Sequence, residues 1–385
     1  MQYAKGINPK MLLWFRERAG YSLKIAAKKI QVSEESLLSW ESGQTLPTIS
    51  QAMKIGDVYK QPWAAFFLKE KPIFTVLKDF RSLDVGDRGV YSPELNFYIQ
   101  EIEKKQKWTR EYLIEDGNKT NKFVGSWKSL DEIEGLAQKI ITELGLDFSI
   151  IFGKRKRSDV LKYYISLAED LGIYICKTTG QKIFVEEMRG IYFNDKFSPF
   201  ICINSRDAIS AQIFTLAHEL AHLWIGSEGV SNVNFGLLQN FNNTKDDKLE
   251  MFCNRVASEI VLPQRIFLEK YDKASAGLKG INELSELFKI SEEAIAYKLY
   301  CLGKIDKAVY EDVRQKTKDG VEVLNKIKSK FGNYHSNKFN RNGKNFTNTV
   351  VSAYHSGKLL TLETAHLLGV KVNHIKTQEG YARSF

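Results

Sequence analysis

Two histidines and a glutamate stand at a spacing that can hold a metal ion beside a base. Residues 214–223 read Phe-Thr-Leu-Ala-His-Glu-Leu-Ala-His-Leu, so His218, Glu219 and His222 form the pattern His-Glu-x-x-His. On a helix both imidazoles would lie on one face and reach one ion, while Glu219 would lie near its open side. The flanking residues are small or apolar, which predicts a buried helix, where unpaired polar groups are costly. We expect a Zn²⁺ site with Glu219 as general base; the alternative is a pair of hydrogen-bonded core histidines.

A catalytic zinc site with one open position needs a third protein ligand. The spacing that would supply a third histidine is absent, so the candidates are acidic residues: Glu228, Asp246, Asp247, Glu250 and Glu259. Residues 248–260 are predicted to form a helix on which Glu250 and Glu259 lie about 180° apart, so both cannot face one ion. Asn254 follows Glu250 by one turn and could accept the free N–H of a metal-bound histidine. We predict Glu250 as the third ligand and Asn254 as its supporting residue.

Helical and strand-like segments precede the motif. Helices are expected near residues 129–144 and 157–171. The runs that follow are rich in β-branched and aromatic residues, which favours strands at residues 173–176, 183–186, 190–193 and 200–203. A small sheet ahead of a long helix is an α+β pattern.

Three separated blocks occur in an order that is typical of one enzyme family. They are Ile201-Cys202-Ile203-Asn204, residues 214–222, and the segment that starts at Glu250 and reads Glu-x-x-Cys-Asn-Arg-Val-Ala-Ser-Glu-Ile-Val-Leu-Pro. Together they resemble the ImmA/IrrE family of zinc metallopeptidases, of the His-Glu-x-x-His…Glu gluzincin type, over about residues 155–270. Cys253 and Val256 replace the alanine and phenylalanine usual in the family. The resemblance implies an endopeptidase that cuts XRE-type repressors in stress responses or mobile elements.

Residues 7–60 are predicted to form a series of short helices. Asn8-Pro9, Ser22 and Ser33 are good helix starts, and a fourth helix is expected from Pro47 to Ile55. The run Tyr21-Ser22…Ala26-Ala27…Val32-Ser33…Leu37…Trp40-Glu41-Ser42-Gly43…Pro47 resembles the XRE (lambda-repressor-like) helix-turn-helix family. The alternative is a plain helical core in which the tryptophan merely packs.

The resemblance places eight residues where such a domain would meet DNA: Lys24, Lys28, Lys29, Ser33, Glu34, Glu35, Ser36 and Ser39. Glu34 and Glu35 put two carboxylates where a polyanion would lie, although a glutamate can accept from cytosine N4. We therefore expect duplex binding that is weak or unusually specific.

A basic stretch lies between Lys326 and Lys358. It holds seven Lys and Arg residues, no acid and five interleaved aromatics. This composition is typical of a surface that follows a phosphate backbone and stacks exposed bases, with Lys338, Arg341 and Lys344 as a nucleic-acid patch for which single strands are one option. The alternative, given slightly more weight, is a solvated segment whose aromatics pack against the C-terminal helices.

Composition sets the class of protein. The chain has 385 residues, a net charge of +10 and a pI near 9.1, which leans mildly towards polyanionic partners. Four scattered cysteines exclude a disulfide framework and a thiolate zinc site. We find no apolar leader and no membrane span, and expect a cytoplasmic protein with no membrane partner.

The expected fold is multidomain and mostly α with an α+β core. We predict a helix-turn-helix domain of four or five helices at residues 1–70, a helical connector at 71–125, a gluzincin-like metallopeptidase at 126–300 and a small basic helical domain at 301–385. The expected function is site-specific proteolysis of a repressor, coupled to a DNA- or partner-binding domain. The alternative is a regulator or toxin–antitoxin component whose peptidase fold senses a ligand or binds a partner without proteolysis. The oligomeric state is left open, with a dimer as one option.

Overall fold

The computed structural model describes residues 2–71, 92–226, 245–325 and 333–383, and it leaves out the side chains of 245–246 and 318–325. Among these residues the chain is mostly helical with one small sheet, as predicted. It divides into two compact units, Met1–Lys104 and Lys105–Phe385. The finer division into four domains stays a prediction. Within the described residues, no helix combines the length and the apolar composition that crossing a membrane would need.

The first unit has the expected series of short helices. They are α1 (Pro9–Arg18), α2 (Leu23–Ile30), α3 (Glu34–Glu41), α4 (Ile49–Tyr59), a 3₁₀ helix (Trp63–Phe67) and the start of α5 (Pro93–Glu115). The Ser22 and Ser33 hydroxyls accept from backbone N–H groups in the first turns of α2 and α3. The fourth helix begins two residues later than predicted, because Thr48 and Gln51 form a capping box that fixes its start after Pro47. Gln31, with φ +64°, makes the tight turn between α2 and α3.

The second unit contains a sheet of three strands among the described residues. These are β1 (Tyr174–Lys177), β2 (Gly190–Phe193) and β3 (Phe200–Ile203), in the order β1-β3-β2. β1 is parallel to β3, with Cys176 opposite Cys202, and β2 is antiparallel to β3, with Gly190 opposite Ile203. Every residue of β2 and β3 is buried.

The prediction of a strand at residues 183–186 is wrong. This segment is irregular and ends in a turn. The side-chain amide of Asn204, which is fully buried, donates to the carbonyl oxygens of Ile183 at 3.3 Å and Met188 at 2.7 Å. Backbone groups in this segment are therefore satisfied by a side chain, and no ladder forms there. Ile183 is buried while Phe184 is 58% exposed, so the apolar run does not report a buried strand.

Nine helices of the second unit, among the described residues, precede, contain or follow the metal-binding motif. They are α6 (Ile133–Leu144), α7 (Phe148–Gly153), α8 (Arg157–Asp170), α9 (Ile209–Ile225), α10 (Lys245–Val261), α11 (Gln264–Tyr271), α12 (Gly277–Phe288), α13 (Glu292–Cys301) and α14 (Lys307–Asn325). Helix α9 packs against α6, α8, α10 and the strands β2 and β3. It is buried along almost its whole length, as the small and apolar flanks of the motif predicted.

The end of α9 is held by the loop at residues 121–128. Gly125 N–H donates to the carbonyl of Leu223 and Trp127 N–H donates to the carbonyl of Trp224, both at 2.9 Å. Gly226 ends the helix at φ +72°, and a Cβ placed there would lie 2.5 Å from the Cα of Gly125. Glycine is required at this position by both the left-handed conformation and the close approach of the two backbones.

Four further helices complete the second unit and pack on β1 or on one another. They are α15 (Tyr334–Asn342), α16 (Lys344–His355), α17 (Thr361–Leu368) and α18 (Ile375–Arg383), with a 3₁₀ turn at Val372–His374. The Cys176 thiol of β1 donates to the carbonyl of Asn342 at 3.2 Å. Gly343 joins α15 to α16 so close to β1 that a Cβ would lie 2.0 Å from the carbonyl oxygen of Ile175.

Candidate metal centre

Helices α9 and α10 bring three potential ligands together. His218 and His222 lie one turn apart on α9 and are almost fully buried, and their Nε2 atoms are 3.0 Å apart. Glu250 on α10 reaches both rings, with Oε2 at 3.2 Å from Nε2 of His218 and Oε1 at 3.3 Å from Nε2 of His222. The three residues form the one cluster of potential metal ligands found among the described side chains.

These distances fit a zinc ion. Ligand atoms about 2.1 Å from a tetrahedral metal lie about 3.4 Å from one another, close to the spacings found here. Two imidazoles and one carboxylate are also a donor set of catalytic zinc sites. Burial alone would raise the pKa of Glu250, yet His222 and His218 hold it well below its ordinary value. The residues present therefore fit Zn²⁺.

Glu219 lies in the interior beside strand β2. Its side chain is fully buried, and the face of β2 that carries Gly190 and Tyr192 packs against α9. The Tyr192 ring stacks on the His222 imidazole, with ring centroids 4.7 Å apart and an interplanar angle of 9°. Sequence analysis missed both strand residues; their two-residue spacing in a predicted strand was the available signal, because it places them on one face of the sheet.

No contact of Asn254 among the described residues tests its predicted role as a supporting residue of the metal site. Oδ1 of Asn254 and Nδ1 of His218 are both buried, and neither has a hydrogen-bond partner among the described residues. Its support of the metal site stays a prediction.

The other acidic candidates lie elsewhere. Glu259, on the opposite face of α10, binds Lys298 at 2.9 Å and accepts from the N–H of Gln264. Asp247 is not part of the cluster. Glu228 and the side chain of Asp246 lie outside the described residues.

The predicted DNA contacts lie on α2 and α3. Lys24, Lys28 and Lys29 are exposed, as are Ser33, Glu34 and Glu35. Ser36 and Ser39 are partly buried, and their hydroxyls are engaged with Ser33 at 2.9 Å and Thr45 at 2.7 Å. The three lysines and the two glutamates are therefore all exposed to solvent. Contact of these residues with DNA stays a prediction.

Two of the five aromatic residues in the basic C-terminal stretch are buried. Phe339 is 4% exposed and Phe346 is fully buried, so both belong to the core. Tyr334 is half exposed. The patch residues Lys338, Arg341 and Lys344 are all partly buried, and Lys326, Lys328, Lys330 and Phe331 lie outside the described residues. Phe339 and Phe346 therefore pack in the core, as the alternative interpretation expected, and cannot stack bases, while the role of the three charges stays a prediction.

Comparison with known families matches two segments of the chain. Residues 168–300 match the family model of the IrrE N-terminal-like domain, a peptidase family, and residues 12–66 match a helix-turn-helix family model. A search of curated proteins finds no match. The two segments confirm the predicted order, an XRE-type helix-turn-helix domain followed by an ImmA/IrrE-like peptidase domain. They support a DNA-binding, peptidase-like regulator of the metallopeptidase type.

Proposed function

We propose that this protein is a zinc-dependent endopeptidase that cleaves an XRE-type repressor or a similar regulatory protein. The observation that carries the proposal is the convergence of two buried imidazoles and one carboxylate, with Glu219 adjacent to His218 on the same buried helix. The helix-turn-helix domain would recognise DNA or the partner protein, in a stress response or in the regulation of a mobile element.

His218, His222 and Glu250 would hold the metal, which supplies Lewis acidity towards a water and the scissile carbonyl. Glu219 takes a proton from the attacking water as the new C–O bond forms. It returns this proton to the amine nitrogen as the peptide C–N bond breaks. Tyr192 keeps the His222 ring in one plane by stacking on it.

Cys253 lies one turn from Glu250 on α10 and is not part of the cluster of potential metal ligands. Burial, with the carboxylates of Glu250 and Glu219 nearby, raises the pKa of the Cys253 thiol well above its ordinary value. The thiol is buried and packs as a small apolar side chain. The replacement of the family's alanine by Cys253 is therefore compatible with the site.

The test compares metal content and cleavage in three proteins: the wild type, Glu219→Gln and Glu250→Gln. Each full-length chain is loaded with Zn²⁺, its metal-to-protein ratio is measured, and it is incubated with purified XRE-type repressors, including any encoded beside its own gene. We expect Glu219→Gln to keep the metal but cleave at least about 100-fold more slowly, because general base catalysis contributes roughly 10²–10⁴-fold. Cleavage by Glu219→Gln at the wild-type rate would exclude the mechanism.

The alternative function is ligand sensing or partner binding without proteolysis. It predicts a zinc-loaded wild type that binds a repressor or DNA and leaves every repressor intact by mass spectrometry. Mass spectrometry of the repressor after incubation with the zinc-loaded wild type therefore separates the two functions.

A further inference from the structure

Gly190 is the first residue of β2, and its backbone does not explain why it is glycine. It is absent from the described glycines with positive φ, so an ordinary residue could adopt its conformation. It pairs with Ile203 in the antiparallel ladder, where glycine weakens a strand. A strand position that holds glycine without a conformational need indicates that something approaches it closely.

The groups that approach Gly190 belong to the helix of the metal-binding motif. A Cβ placed on Gly190 would lie 2.4 Å from Oε1 of Glu219 and 2.5 Å from Cγ2 of Thr215. Non-bonded heavy atoms lie about 3.5 Å apart at rest, so the Glu219 carboxylate and the Thr215 methyl would each have to move by about 1 Å. Glu219 is fully buried and Thr215 is 1% exposed, so a displaced carboxylate has no solvent to enter.

We propose that Gly190 is a positioning residue for Glu219, resting on the function proposed above. The missing side chain leaves the space that the Glu219 carboxylate occupies against β2. Any side chain at position 190 would fill this space and move the base while leaving His218, His222 and Glu250 in place. Gly190 thus sets the rate of the reaction and not the capacity to hold the metal.

Packing between β2 and α9 offers a competing explanation, because Thr215 also lies within 2.5 Å. The two explanations can be separated, since Thr215→Ser removes Cγ2 and nothing else. If the methyl of Thr215 is what excludes a side chain, Gly190→Ala combined with Thr215→Ser should behave as the wild type. If the Glu219 carboxylate is the essential neighbour, the double variant should stay defective.

The experiment uses the full-length, zinc-loaded chain in five forms: wild type, Gly190→Ala, Thr215→Ser, the double variant and Gly153→Ala. Gly153 is the matched control, because its φ is not among the positive values and nothing lies within 4 Å of a Cβ placed there. The measurements are the metal-to-protein ratio, crystal structures, and kcat and KM on a fluorogenic peptide selected from a randomised library by wild-type cleavage.

We expect Gly190→Ala and the double variant to bind one equivalent of zinc, to show Glu219 displaced by about 1 Å, and to lose about 100-fold in kcat with KM changed less than twofold. Thr215→Ser and Gly153→Ala should match the wild type. Full recovery of kcat in the double variant, or an unmoved Glu219 beside a shifted β2, would overturn the inference. If the library yields no cleaved peptide, the proposed function fails, and the position of Glu219 in the crystal structures still decides the role of Gly190.

Discussion

Glu169 on α8 gives a test of how the C-terminal helices are attached to the rest of the second unit. It is 8% exposed, and its Oε1 accepts from the backbone N–H groups of Lys344 at 2.9 Å and Asn345 at 3.3 Å, at the start of α16. The Asn345 amide in turn donates to the carbonyl oxygens of Glu169 and Ile173. Burial outweighs the two backbone hydrogen bonds and raises the pKa of Glu169 from 4.5 to about 7.

The change we consider is Glu169→Gln, which keeps an acceptor oxygen for the two N–H groups and removes the titration. The raised pKa means that the folded chain binds the proton of Glu169 more tightly than the unfolded chain does. This contribution to stability is complete below pH 4.5 and is lost as the pH rises through about 7. A shift of about 2.5 units corresponds to about 3.4 kcal/mol at 1.36 kcal/mol per unit.

The variant should therefore gain stability relative to the wild type as the pH rises from 4.5 to 7.5, by at most about 3 kcal/mol. For a unit of about 280 residues this is a relative rise in Tm of about 6 °C. Thermal unfolding at closely spaced pH values measures it, with Glu134→Gln, an exposed residue of α6, as the control. Burial lowers the pKa of Lys177 to about 8 and the charge of Glu169 partly offsets this, so the pH range ends at 7.5, below the value at which Lys177 titrates beside Glu169. A Tm difference that stays constant over this pH range would refute the reasoning.

Three further outcomes are expected. Glu250→Gln should weaken zinc binding strongly, whereas Glu259→Gln on the opposite face of α10 should leave it unchanged; equal affinities in metal titrations would move the third ligand elsewhere. Replacing Lys338, Arg341 and Lys344 together by Ser should lower the salt slope of single-strand binding by about two units, because each charge that neutralises a phosphate adds about 0.7 to that slope, while unchanged binding would leave the stretch as plain surface. The isolated helix-turn-helix domain should bind random duplex weakly and with strong salt dependence. Tight, salt-insensitive binding would contradict the prediction that the two exposed carboxylates on α3 weaken contact with DNA.

The sequence by itself determined the features that depend on local periodicity and capping. The four-residue spacing of His218 and His222 puts them on one helix face wherever that helix packs, and the small and apolar flanks require it to be buried. Ser22 and Ser33 mark the starts of α2 and α3 because a hydroxyl at the N-cap satisfies a free backbone N–H. These properties act over one or two turns and need no knowledge of the partner elements.

Tertiary structure decided what contacts these elements across the chain. The segment at residues 183–186 is not a strand, because the distant Asn204 side chain donates to the Ile183 carbonyl. Phe346 is in the core because the C-terminal helices pack on one another and on β1. Gly190 and Tyr192 acquire their contacts with Glu219 and His222 only when β2 packs against α9. A glycine in a strand has no side chain whose pattern could reveal its neighbour, so the space it leaves for the Glu219 carboxylate becomes visible only once the sheet and the helix are together.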